Sequence, residues 1–291
     1  MGIHRVKAMF HSTALVPDYD LAVARMSALF GLRVLECSDN YEPAVARRGG
    51  MTWVGDGSIE IGHPLVADAA PDRFVRRTGG GMQGVGVWVE DFAATVEHLE
   101  AGGVRVPVRH PRGFGFSSPR DLEGLQFEWS EFTAEEDPRV GATLPPLTQP
   151  PVVAVTHQAF VGAVVEDPGR AARRLAGLLG TAVVYEDPGT DATSPHAAVS
   201  LGDCVLALYP LTDPDTAEAL WGRRHDRPGI CALGLRVDDL AAACAALAAV
   251  DVHTRWDSDA ARFLDRSETG GIEVVLVDSL LPGDPRVTDR R

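Results

Sequence analysis

The chain has 291 residues, 45% hydrophobic and 23% charged, and carries a net charge of −14. That length allows two domains, and the composition is that of a globular chain, not a disordered one. The acidic balance argues against unassisted binding to nucleic acid or to anionic membrane, because both demand a cationic face.

No apolar run reaches bilayer-spanning length, and no signal-peptide core follows Met1, so a cytoplasmic protein is expected. Cys37, Cys204, Cys231 and Cys244 are scattered without paired zinc spacing and read as reduced thiols.

One phrase recurs along the chain: an apolar strand that stops at an Asp and runs into an amphipathic helix. The copies end at Asp18, Asp91, Asp167 and Asp239, which lie 73, 76 and 72 positions apart. An internal repeat of this length fixes architecture before single residues are interpreted. In the first copy Phe10–Val16 is the strand, Asp18 or Asp20 caps a helix to Phe30, and Gly31 stops it. Short strands are expected at Leu32–Glu36, Ala44–Arg48, Met51–Val54 and Ser58–Gly62.

In the second copy Asp91 caps a helix through Val96 and Leu99 that ends at Gly102-Gly103. Strands are expected at Val104–Val108, Gly113–Ser117 and Leu125–Phe132. Ala134–Pro151 holds five prolines and reads as a linker. The third copy places a helix near Gly169–Leu179, and the fourth an Ala-rich helix at Leu240–Ala249 capped by Asp239.

The residue five positions before the strand-ending Val is His11, Gly84, Phe160 and Ala232 in the four copies. Only the first is competent to bind a metal. The late strands of the first two copies carry Glu60 and Glu128, and their second-half equivalents read as Leu206 and Val275. Side chains alternate along a strand, so Gln126, Glu128 and Ser130 share one face while Phe127 and Trp129 take the other. Glu60 likewise opposes Ile59 and Ile61. The carboxylates then point into a cleft, where they need a cation or hydrogen bonds. One His and two Glu suit a divalent metal with open positions. The other reading of each Glu is a salt bridge to a nearby arginine such as Arg47 or Arg48.

The strand–Asp–helix starts, together with Asp121-Leu-Glu-Gly-Leu-Gln-Phe-Glu128, resemble the vicinal oxygen chelate superfamily of glyoxalase I, methylmalonyl-CoA epimerase, extradiol dioxygenases and bleomycin-resistance proteins. The resemblance implies an α+β fold of four βαβββ modules paired into two tandem glyoxalase-like domains. These would be residues 1–133 with a metal site, a Pro-rich linker at 134–151, and residues 152–291 with a degenerate site. It implies a divalent metal (Fe, Mn, Co, Ni or Zn) held by His11, Glu60 and Glu128, which match the first, second and fourth ligands of the glyoxalase and epimerase branches. The third ligand falls on Gly84. Gln83 is adjacent, and by parity it faces away unless a bulge rotates it inward. Phe114 and Phe116 are candidates to line the cleft mouth, and Arg223 and Arg224 to meet an anionic ligand in the second half.

The function expected first is a metal-dependent isomerase, epimerase or lyase acting on a small oxygenated carbonyl compound. Glu60 or Glu128 would move the proton. The alternatives are an Fe(II) extradiol-type dioxygenase and a metal-free binder of a drug or metabolite. The expected partner is a small molecule, with no nucleic acid or membrane, in a monomer built as a pseudo-dimer or in a homodimer.

Overall fold

The computed structural model describes residues 6–37, 46–55, 57–133, 135, 137–144, 146–147, 149–187, 189 and 191–287. Residues 44 and 45 of the strand expected at Ala44–Arg48, and residues 134, 136, 145 and 148 of the linker, lie outside them.

The first half runs β1 (Ala8–Leu15), α1 (Tyr19–Phe30), β2 (Leu35–Glu36), β3 (Arg47–Val54), β4 (Gly57–Pro64) and α2 (Ala70–Thr78). It continues with β5 (Gly81–Trp88), α3 (Phe92–Ala101), β6 (Val108–His110), β7 (Phe114–Phe116) and β8 (Gln126–Ser130). The second half repeats this order with β9 (His157–Val165), α4 (Pro168–Leu179), β10 (Val183–Glu186), β11 (Ala197–Ser200), β12 (Val205–Pro210) and α5 (Pro214–Trp221). Then come β13 (Gly229–Arg236), α6 (Leu240–Ala248), β14 (Thr254–Asp257), β15 (Ala261–Leu264) and β16 (Val274–Val277). Each half forms one eight-stranded mixed sheet, ordered β2-β3-β4-β1-β5-β8-β7-β6 and β10-β11-β12-β9-β13-β16-β15-β14. The fold is α+β, with the four strand–helix modules paired into two tandem domains of the same strand order, as expected.

The repeated Asp has one job in all four copies. Asp18, Asp91, Asp167 and Asp239 are N-caps whose carboxylates accept the N–H groups of Leu21, Ala94, Arg170 and Ala242. Such a cap contributes about 1 kcal/mol and fixes where the strand ends and the helix begins. Gly31 and Gly180 close α1 and α4 in the left-handed conformation, with φ of 68° and 63°.

Two helices were not expected, α2 and α5. They follow β4 and β12, are short, and begin with Pro in the first turn, so their periodicity spans barely two turns. The strand expected at Val104–Val108 begins only at Val108; Val104 and Val106 are buried without ladder pairing.

Each central strand carries an extra residue opposite its antiparallel neighbour. Between β1 and β5 the extra residues are Phe10 and Gln83; between β9 and β13 they are Ala159 and Cys231. Each bulge sits immediately before the position compared above: His11, Gly84, Phe160 and Ala232. A bulge turns its own side chain onto the same side as its neighbour, and the rings of Phe10 and His11 indeed meet at 4.4 Å.

The proline-rich connection is ordered where it touches β1. Asp137-Pro-Arg139 forms a short 3-10 turn, and Arg139 donates to the carbonyls of Met9 at 2.9 Å and Phe10 at 2.8 Å. The C-terminal Asp284-Pro-Arg286 repeats this, donating to Gln158 O at 2.9 Å and Ala159 O at 2.8 Å. Asp137 and Asp284 are both fully buried and each hold their Arg through its Nη2 at 2.7 Å. The straps thus satisfy carbonyls that the bulges leave out of the ladder.

The halves share one apolar core, and polar links cross between them. Gln158 donates to Ser12 Oγ at 2.9 Å. The buried Glu273 accepts Met82 N–H at 2.7 Å and forms an ion pair with Arg223, whose Nε lies 3.1 Å away. Arg223 also donates to the carbonyls of Gly80, Met82 and Ile230. His98 on α3 bridges to the Leu178 carbonyl at 3.1 Å.

Candidate active site

Strand pairing brings the site together across the first sheet. β1 pairs in parallel with β4, setting Thr13 beside Glu60, and β5 pairs in parallel with β8, setting Gly86 beside Glu128. β1 and β5 pair antiparallel, with His11 opposite Gly86 and Thr13 opposite Gly84. Glu60 and Glu128 therefore occupy equivalent places about the local two-fold, as do His11 and Gly84. Ile59, Ile61, Phe127 and Trp129 are fully buried on the opposite, helix-packed face.

His11 Nε2 lies 3.4 Å from Glu60 Oε2 and 3.6 Å from Glu128 Oε2. Arg47 completes the cluster. Its Nε donates to Glu60 Oε1 at 2.8 Å and its Nη2 to Glu60 Oε2 at 2.5 Å, while Nη2 stands 3.8 Å from Glu128 Oε2. Thr13 Oγ1 adds a hydrogen bond to Glu60 at 3.3 Å. Glu60, His11 and Arg47 are buried, and the Glu128 side chain keeps 13% exposure. Among the described residues neither ring nitrogen of His11 has a hydrogen-bond partner. The ring lies over Gly86, where a Cβ would stand 2.8 Å from Cε1.

The two equivalent carboxyls are pushed in opposite directions. Burial alone would raise Glu60, but the charge of Arg47, then that of His11, and hydrogen bonds from Arg47 and Thr13 hold it below the usual range. Burial raises Glu128 to about 8; Arg47 opposes this only in part and Glu60 adds to it. Burial lowers His11 to about 4. Near neutrality the cluster is an Arg47–Glu60 ion pair beside a neutral imidazole and a largely protonated Glu128. Carboxyls driven apart in this way are suited to different roles in proton transfer.

Phe116 is the cross-strand neighbour of Glu128, and Phe114 that of Ser130. Both rings thus stand on the carboxyl's face, in edge contact with each other at 6.3 Å, and Phe114 also meets Phe132 at 6.0 Å. Gln83 is the bulge residue of β5, so parity does not turn it away. With Gln126 it lines a neighbouring cavity between the halves.

In the second half the pairing assigns Phe160, Ala207, Ala232 and Val275 to the places of His11, Glu60, Gly84 and Glu128. The equivalent of Glu60 is Ala207, not Leu206, because β12 meets Gly162 one residue later. All four are buried and apolar, and Tyr209, Trp221 and Phe263 fill the space before them.

A family model described as the Glyoxalase/Bleomycin resistance protein/Dioxygenase superfamily matches residues 10–116. Over these residues the chain is similar to that superfamily, which includes the vicinal oxygen chelate enzymes it resembles. In fold the chain is similar over 97% of its length to 96% of a triple variant of 4-hydroxymandelate synthase from Streptomyces coelicolor, with a TM-score of 0.64 and 13% identity. Methylmalonyl-CoA epimerase from Mycobacterium tuberculosis is similar over 44% of this chain and 90% of its own, with a TM-score of 0.39 and 22% identity. No curated protein sequence matches significantly.

The superfamily resemblance leads to the expectation of a divalent metal, and the donor set can be tested for it. His11, Glu60 and Glu128 do converge. Both oxygens of Glu60, however, are taken by the buried Arg47 guanidinium, which also faces Glu128. Among the described residues no group of three His, Cys, Asp or Glu is arranged to hold a metal ion. As placed, these residues do not fit a divalent cation, because two free donors would share their space with a fixed positive charge. Sequence reading named Arg47 only as a salt-bridge partner and did not see Thr13; no spacing rule links either to His11.

Proposed function

We propose that the N-terminal half catalyses proton transfer on a small oxygenated carbonyl compound, as an isomerase, epimerase or lyase. Glu128 moves the proton, and the Arg47 guanidinium provides the positive charge that favours an enolate-like oxygen. The observation that carries this reading is the contrast between equivalent carboxyls: Glu60 is bound at both oxygens by Arg47, whereas Glu128, 3.6 Å from His11, has no such partner.

In the carboxylate form Glu128 takes a proton from the carbon next to the carbonyl; in the acid form it returns one. Arg47 is fixed in advance by Glu60, so little reorganisation accompanies the growth of negative charge on the oxygen. His11, neutral and free at both nitrogens, orients an oxygen or a hydroxyl of the substrate. Phe114 and Phe116 wall the cleft beside the carboxyl and keep water from it.

The test is deuterium incorporation. α-Hydroxy ketones, 2-oxo acids and malonyl thioesters are incubated with protein in D2O and followed by NMR. Exchange at one carbon by the wild type, reduced at least about a hundredfold in Glu128→Gln, supports the reading. Exchange undiminished in that variant would overturn it.

A metal-dependent form of the same chemistry is the second reading, favoured by the two unpartnered nitrogens of His11. It requires Arg47 to leave Glu60. Elemental analysis of protein purified without chelators, repeated on His11→Ala, separates the two readings.

A further inference from the structure

A second cavity, of about 280 Å³, lies between the halves, where α2 and the start of β5 face the loop after α5. Its walls include Arg73, Arg77, Arg223, Arg224 and Arg227, against a single acidic residue, Asp226. This concentration stands in a chain whose net charge is −14. His11, Glu60 and Glu128 are not among its walls.

We propose that this cavity binds a small, multiply charged oxyanion, the phosphate or carboxylate end of a metabolite. Arg223 is the fixed element: it is buried, it donates to His225 and three carbonyls, and it is ion-paired with Glu273. Glu273 offsets its charge. The outer arginines carry the free capacity. Arg77 lies over the Phe74 ring at 6.0 Å, and among the described residues it makes no ion pair. Among the described residues Arg224 pairs with the exposed Asp215 at 2.8 Å and Glu218 at 3.8 Å, and Arg227 with the exposed Asp226 at 3.2 Å.

Exposed pairs of this kind are worth little and exchange readily for a better ligand. Guanidinium groups are planar forks that match phosphate and carboxylate oxygens two at a time. Phe74, flanked by Arg77 and Arg223 at 5.6 Å, gives the ligand an apolar surface beside the charge. The Gln83 and Gln126 amides stand at the wall shared with the first-half sheet and supply neutral polar contacts.

The test is isothermal titration of the full chain at low ionic strength with two probes, pyrophosphate and malonate. One variant is R77Q/R224Q. The other, R109Q/R173Q, makes the same charge change outside the cavity. One-to-one binding to the wild type is expected, weakened at least about tenfold in R77Q/R224Q and less than about twofold in R109Q/R173Q. Tighter pyrophosphate binding assigns a phosphate ligand, and tighter malonate binding a carboxylate. No saturable binding of either probe, or equal loss in both double variants with unchanged circular dichroism, overturns the proposal.

Discussion

Arg47 holds both oxygens of Glu60, at 2.8 and 2.5 Å, and so places a protein cation among His11, Glu60 and Glu128. The charge that the superfamily resemblance assigns to a metal is present here as a side chain. Unlike an ion, it cannot be removed by a chelator.

Removing that cation strands a buried carboxylate. Arg47→Met is expected to cost ~3–5 kcal/mol in urea denaturation, and adding Glu60→Gln should recover most of it. Glu60 is held below its ordinary value of 4.5, so its stabilisation is present above that value and is lost as the pH falls below it. The loss should be absent from the double variant. If Arg47→Met and wild type unfold at the same denaturant concentration, the pair does not anchor the site.

Glu128 works with the opposite sign. Its value in the folded protein is raised from 4.5 to about 8, so its favourable contribution is complete below 4.5 and is lost as the pH rises toward 8. Glu128→Gln should therefore match the wild type near pH 4 and melt higher near pH 8. Thermal melts across that range check this, and parallel curves would count against the burial argument.

Gly84 is the missing donor position. Its backbone does not use positive φ, and a Cβ there would make only ordinary contact with Gln126 at 3.4 Å. Gly84→His alone should gain little affinity for Co2+, because Arg47 still occupies Glu60. Gly84→His with Arg47→Met should bind Co2+ at least about tenfold more tightly than the wild type, read from visible absorption. Equal binding by the single and double variants would show that Arg47 does not exclude the ion.

Gly86 matters for room. In Gly86→Ala the new methyl meets the His11 ring at 2.8 Å, and backbone on a paired strand cannot retreat far. The expected cost is ~1–3 kcal/mol in stability, with a loss of exchange activity larger than that drop explains. Full activity at unchanged stability would remove His11 from the mechanism.

Much of the scaffold was legible because it is periodic. Four Asp caps, each followed by a helix, announce themselves by spacing, and parity places Glu128 opposite Phe127 and Trp129. His11, Glu60 and Glu128 could be picked out because equivalent positions within one chain differ. What escaped depends on pairing. A bulge adds one residue to a strand without a composition signal, so the direction of Gln83 could not be read, and the match of Glu60 to Ala207 depends on the register of β12 against β9. Arg47 reaches Glu60 only because β3 lies against β4, and α2 and α5 are too short for their periodicity to register.

The twin Asp-Pro-Arg straps bear on how the chain can be divided. Asp137-Pro-Arg139 and Asp284-Pro-Arg286 stand 147 positions apart, so the unit that recurs includes its own fastening. A fragment ending at 133 would leave the Met9 and Phe10 carbonyls without Arg139, directly before His11. One ending at 144 would keep both of those hydrogen bonds. Within what reads as a spacer, Asp137-Pro-Arg139 is the fastening of the first half.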